Sequence, residues 1–413
     1  MVGRGNGSWK RKASYILMGM GIGMMLFIYW DIFVLPGSIQ MEAFQYDNGM
    51  TAYKSRQLFA QEVEGKTIYA NSSYAIYKSE DGQHFEHQFT IPLGLMGLDY
   101  LKQSKTLKAL FNKDSYAGVE LTVLDSGTIL IFTNEKFGKN RVLRTTDNGK
   151  NLEVVHHFRY LPSGECPFIL RRGITEDGEG NVYFAEYAFN GGDVTSFDPK
   201  KDKRDAMRVY CSRDDGKTWE VFYTFENIRH IHALQYDPYS GKIWVATGDI
   251  DSESMVGFFD PEDGSLELVG QGSQHFRVVS FIFTEEYILW GTDAPYNQNY
   301  IFSYHRETGE IEPLKVVDGP IYYSIQTQDG RWFLGRTVEG GAEGEWDSNI
   351  SIWMSEDGGS RWEKFLSFER KDPSRFGYVY FPRTERSPYL IGNFQNSSRF
   401  DNHMLLFPER NME

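Results

Sequence analysis

Cysteine is nearly absent from this 413-residue chain, where Cys166 and Cys211 are the only two. A disulfide framework and a cysteine-rich zinc module are therefore excluded, and one Cys166–Cys211 bridge is the most the chain can form. Basic charge is scarce as well. Asp and Glu outnumber Lys and Arg by 57 to 43, for a net charge of -14. A nucleic-acid surface, which draws its affinity from clustered cations, is not expected. After Pro36 no helical hydrophobic period of any length appears, which points away from helical folds. Long apolar runs are missing too, with one exception at the amino terminus.

That exception reads as an anchor. Arg4, Lys10, Arg11 and Lys12 precede the uncharged run from Ala13 to Trp30, which continues after Asp31 into IFVL. Such a length nearly or fully spans a bilayer core of about 30 Å. Basic residues ahead of the run place the amino terminus in the cytoplasm. The expected layout is a cytoplasmic tail at 1–12, a single transmembrane signal anchor at 13–35, and an extracytoplasmic domain at 36–413. A cleaved signal peptide is the rival, but no small-x-small site or lipobox cysteine follows the run.

What the chain has in quantity is strand and turn formers: 30 Phe, 25 Tyr and 41 Gly. Short strand-like runs are separated by Gly/Asp/Asn turns, the pattern of an all-β fold. One turn recurs as TTDNGKNL from Thr145, SRDDGKTW from Ser212 and SEDGGSRW from Ser355, with a shortened SEDGQHF from Ser79. In this box the Asp carboxylate and the Ser/Thr hydroxyl can accept turn N–H groups. Gly149, Gly216 and Gly359 fall where a positive φ is plausible, and Trp219 and Trp362 are placed to pack between sheets. The box resembles the Asp-box (BNR) repeat of sialidase-like β-propellers. That resemblance implies a propeller over the whole chain after the anchor. An Arg-Ile-Pro motif ahead of the first box is missing, so the sialidase catalytic set is not matched.

The blades can be counted from the turns. Outer turns fit at Asp81, Asp147, Asp214, Asp263, Thr308 and Asp357, and inner turns near Gly65, Ser126, Gly178, Ser240, Glu285, Asp329 and Arg386. Seven inner hairpins predict a seven-bladed propeller, with six blades as the alternative. The segment MEAFQY is the expected closing strand, joining the last blade.

In this frame RHIHALQYDPYSGKIWVATGD, from Arg229, is the inner hairpin of the fourth blade. Its two ends meet on one rim of the central channel, where loops of all blades converge. Blade after blade sets acids or amides at one end of the hairpin and Arg, His or Tyr at the other. Glu186, Tyr187, His230, His232, Asp249, Asp293 and Tyr322 are the expected catalytic residues. Arg172, Arg229, Gln274, Arg277, Arg336, Glu339 and Tyr323 are expected to bind substrate, the arginines by bidentate contact with a sugar carboxylate. Tyr187, Phe189, Tyr296, Tyr300 and Trp346 are placed to stack on sugar faces. The chemistry requires no cofactor, but a divalent metal is an option. His230 and His232 alternate by two on one side of a strand, and with His275 they would offer nitrogen ligands.

These residue types suit a carbohydrate-active enzyme, a glycoside hydrolase or polysaccharide lyase acting on an acidic glycan. The resemblance adds Tyr as the sialidase-type nucleophile. The competing class is a non-catalytic propeller that binds glycan or protein, or scaffolds assembly. A glycan is the expected partner in the first case, with the membrane reached only through the anchor. The oligomeric state is not legible.

Overall fold

The computed structural model describes Gly23 and residues 37–408, except 47–48, 92–117, 135–138, 191–196, 199–200 and 340–343. The expected anchor at 13–35 thus lies outside the described residues, Gly23 apart. No helix among the described residues is long and apolar enough to cross a membrane.

Inner strands are buried on both faces and outer strands on one at most, and the chain stacks them as seven antiparallel sheets in a ring. Blade one comprises Phe59–Glu64, Thr67–Ser72, Ala75–Ser79 and His84–Thr90, and blade two Gly118–Val123, Ile129–Asn134, Arg141–Thr145 and Glu153–His157. Blade three is Ile174–Glu176, Val182–Ala185, Met207–Ser212 and Glu220–Phe225; blade four is His230–Asp237, Lys242–Gly248, Met255–Phe259 and Leu266–Gln271. Blade five is Val278–Phe283, Tyr287–Thr292, Asn299–His305 and Ile311–Val317, and blade six Ile321–Gln326, Trp332–Arg336, Ile350–Ser355 and Glu363–Phe368. First strands of neighbouring blades touch around the centre. All seven inner turns fall where the sequence puts them, so the count is seven and the six-bladed alternative is set aside.

Ring closure differs in detail from expectation. Blade seven has three strands from the carboxyl end, Tyr378–Tyr380, Tyr389–Gln395 and His403–Pro408. Its fourth is Thr51–Ser55, with Tyr53 opposite Leu406. The expected closing segment forms Glu42–Gln45, which pairs outside Thr51–Ser55 as a fifth strand. Both runs alternate, but Ala52 and Ser55 are buried while Glu42–Gln45 stays largely exposed. Burial assigns the inner position.

The recurrent turns share one wiring. Gly149, Gly216 and Gly359 each donate their N–H to the box hydroxyl of Thr145, Ser212 or Ser355, at 2.9 Å in each case. Asp147, Asp214 and Asp357 accept from the backbone N–H of Asn151, Thr218 and Arg361 at 2.8–2.9 Å. The glycines have φ of +80°, +76° and +88°. Trp362 is buried among Leu289 and Ile301 of blade five and Leu334 of blade six. The two cysteines are free, so the bridge that composition permits does not form.

Candidate functional site

The site is built where first strands begin and second strands end. In blade four His230 faces Gly248 across the ladder, which sets Asp249 just beyond the second strand and beside both histidines. A register shift between Ile231 and Ala233 lies at His232. Bulges of this kind re-aim a side chain, and here His230 and His232 converge, their Nε2 atoms 2.9 Å apart. Asp249 Oδ1 lies 3.3 Å from His230 Nε2 and 3.1 Å from His232 Nε2. All three residues are buried.

The tautomer of His230 follows from its other nitrogen. Nδ1 lies 2.8 Å from the Ala188 carbonyl, which can only accept, so Nδ1 carries a proton. Its Nε2 points into the cluster, toward Asp249 and His232. Tyr187 stacks face-on over this ring, centroids 3.9 Å apart at 16°, and fixes its plane.

Two arginines complete the cluster. Arg229 pairs with Asp249 Oδ2, and Arg277 places Nη2 3.1 Å from Oδ1. Burial opposes the Asp249 charge, yet Arg277, His230 and the histidine hydrogen bonds hold its carboxyl well below the usual carboxylate range. Burial pushes the His232 imidazole down to about 4, with Asp249 opposing, so this ring is neutral at neutral pH. Gln274 Nε2 donates to the Asp249 carbonyl at 3.1 Å and to Asp251 at 3.0 Å.

Arg277 also links the cluster to a second acid pair. Its Nε lies 3.1 Å from Asp293 Oδ2. Asp293 Oδ1 is buried with no donor, and its neighbour is the Glu339 carboxyl, whose Oε1 accepts from Tyr322. Burial pushes Asp293 well above the usual range, and the neighbouring Glu339 charge adds to it. Two neighbouring carboxyls out of water favour the protonated form of one of them. Burial likewise raises Tyr322 and Tyr187, so both are phenols rather than phenolates at neutral pH.

Ten expected site residues therefore meet: Tyr187, Arg229, His230, His232, Asp249, Gln274, Arg277, Asp293, Tyr322 and Glu339. An open cleft of about 570 Å³ gives access to Asp249, Gln274 and Arg277, flanked by Tyr296 and Phe197. Five others lie outside this cluster, Tyr323 among them lining a separate pocket. Glu186 is fully buried, accepting from Arg159 at 3.0 Å, the Arg208 N–H at 2.9 Å and Tyr210 at 3.3 Å; it ties strands together and faces no cleft. Arg336 is spent on the carbonyls of Asp318, Asp347 and Asn349. Arg172 crosses the channel to the Ser324 and Pro382 carbonyls at 2.6 and 3.2 Å. Tyr323 is buried against Tyr380. His275 is exposed against Tyr300 and Phe302 and is not in the nitrogen cluster; Asp249 takes the third position beside His230 and His232.

One supporting pair escapes a sequence reading. Arg204 donates to Glu253 at 2.8 Å, both buried, and Glu253 accepts the Arg229 N–H at 3.2 Å. Arg204 sits in the charged run KKDKRDAM, which has the look of a solvated loop, so no local signal marks it.

Buried His, Asp and Arg beside a cleft on the propeller rim, with Asp249 and Arg277 in its lining, define the class: a seven-bladed β-propeller with a polar site at its channel mouth. Solved structures of that architecture include an oligogalacturonate lyase in complex with manganese, matched with a TM-score of 0.55 at 11% identity over 90% of this chain and 98% of that one. An oligogalacturonate lyase from Vibrio parahaemolyticus matches with a TM-score of 0.52 at 10% identity over the same shares. At these identities the likeness is one of fold. No family model and no curated protein sequence matches the chain.

Proposed function

We propose that this protein is a polysaccharide lyase acting on an acidic glycan at the His230–His232–Asp249 cluster. Residues 13–35 would tether it to the membrane with the propeller outside the cytoplasm, and its turns would make it a member of the Asp-box propellers. The observation that carries the reading is the convergence of two buried imidazoles, one carboxylate and two guanidinium groups, of which Asp249 and Arg277 line an open cleft. The shared architecture with oligogalacturonate lyases supports it at the level of fold.

Elimination from a uronate breaks the C5–H bond, forms C4=C5 and breaks C4–O, with one proton leaving C5 and one reaching the departing oxygen. The carboxylate beside C5 must be neutralised, and Arg229 and Arg277 concentrate positive charge there. His230 Nε2, the neutral His232 ring and Asp249 also suit a divalent ion, since one ligand atom from each lies within 4.8 Å of the others. Such an ion, when bound, would withdraw charge from the uronate carboxylate. Ala188 fixes the His230 ring and Arg229 holds Asp249, the outer contacts that orient ligands. A hydrolase is the second reading, favoured by the neighbouring buried carboxyls of Asp293 and Glu339, both pushed above the usual carboxylate range.

The test is incubation with acidic and neutral polysaccharides, with and without chelator, and mass analysis of the products. Elimination leaves an unsaturated end one water lighter than the hydrolytic product. Chelator-sensitive unsaturated products are expected. Saturated products would establish the hydrolase instead, and saturable glycan binding without cleavage would establish a recognition protein.

A further inference from the structure

The channel mouth holds a second pocket, lined by the strand ends of blades one, two, three, six and seven, and about 200 Å³ in volume. Its walls are aromatic, with Phe59, Phe168 and Tyr380 among them. Two charged side chains line it, Glu120 and Arg171, and they pair with each other at 3.5 Å. Arg171 also donates to the Ala60 carbonyl at 2.8 Å and lies 4.5 Å over the Phe59 ring, while Arg383 faces Glu120 at 3.6 Å. The lining therefore holds aromatic faces, polar groups at the mouth in Asn134 and Gln395, and a self-compensated ion pair.

Aromatic contacts join this pocket to the cluster from two sides. Tyr187, stacked on His230, lies 5.1 Å from Phe168. Tyr322, bonded to Glu339, is 5.7 Å from Tyr378, which is 5.3 Å from Tyr380. Phe168 and Tyr380 both line the pocket, so it and the cluster are one or two ring widths apart.

We infer that this pocket is a subsite for an uncharged sugar, and that the glycan is a mixed chain carrying a neutral unit close to the acidic one. This rests on the reading of the cluster as a glycan site. Sugar C–H faces pack on aromatic rings, and the Glu120–Arg171 pair offers acceptors and donors to hydroxyls without net charge. A uronate in the same pocket would bring its carboxylate beside Glu120 and find Arg171 already engaged, at a desolvation cost without return.

The test is ligand-detected NMR on the full chain with methyl glucoside, galactoside and mannoside as neutral probes and methyl glucuronide as the acidic one. At least one neutral glycoside should bind saturably, with affinity weakened about tenfold by Asn134→Trp, which closes the mouth from an exposed position, or by Phe168→Ala. Binding of the glucuronide alone, binding of no probe, or neutral binding insensitive to both pocket variants would overturn the inference. The readout needs no turnover, so absence of cleavage would sink the lyase reading and leave this one standing.

Discussion

Asp249 carries the cluster, because one carboxylate answers two guanidinium groups and two imidazoles. Asp249→Asn keeps the shape and removes the charge, leaving buried Arg277 and partly buried Arg229 without their counter-ion there. Chemical denaturation should show a loss of about 3–5 kcal/mol, and turnover on an acidic glycan should fall by about a hundredfold or more. Arg336 makes the opposite case. Arg336→Met should cost about 2–4 kcal/mol, since carbonyls of three residues lose their donor, with activity per folded molecule unchanged. The spacing of His230 and His232 and the position of Asp249 were legible as strand periodicity. The fate of Arg172 and Arg336 was not, because an arginine at a strand end reads alike whether it turns to a ligand or to carbonyls of a neighbouring loop.

At the scale of the element, the repeated turn is a stability device with a steric requirement. A Cβ on Gly149 would stand 2.0 Å from the Phe89 ring at a φ of +80°. Gly149→Ala should therefore cost more than about 2 kcal/mol in urea unfolding, where an ordinary surface change costs little. The outer strand Glu153–His157 holds a pH response. His156 sits among Phe158, Phe184 and Tyr210, its Nε2 buried without a partner, and burial pushes it down to about 4. The unfolded chain then binds the extra proton. Its contribution is full above about 6.5 and lost as pH falls toward 4, on the order of 1–3 kcal/mol. Thermal melts across that window should show the decline, and His156→Gln should flatten it. The turns were visible because their side chains bond within a few residues; His156 was not, because its aromatic cage comes largely from the next blade.

For the whole molecule, closure by Thr51–Ser55 ties the amino-terminal end of the propeller to its last blade. Ala52 is fully buried within that strand, and Ala52→Pro should remove about 3 kcal/mol or more. Hydrogen exchange should show blade seven opening first. Seven blades could be counted from turn chemistry alone, since each inner hairpin is local. Which amino-terminal segment closes the ring was not legible, because MEAFQY and TAYKS alternate alike and only contact with His403–Pro408 separates them. The site shares this division: its members come from blades three to six, and their convergence is a property of the ring.

The central claim is that acidic-glycan chemistry is performed at Asp249 and its partners. The most direct measurement compares release of unsaturated ends from acidic polysaccharides by the unaltered protein and by Asp249→Asn, both verified as folded by circular dichroism. The account predicts product from the first and, from the second, at most about a hundredth of it. Equal product from the two, or none from the unaltered protein on any acidic glycan with or without added divalent ions, would contradict it.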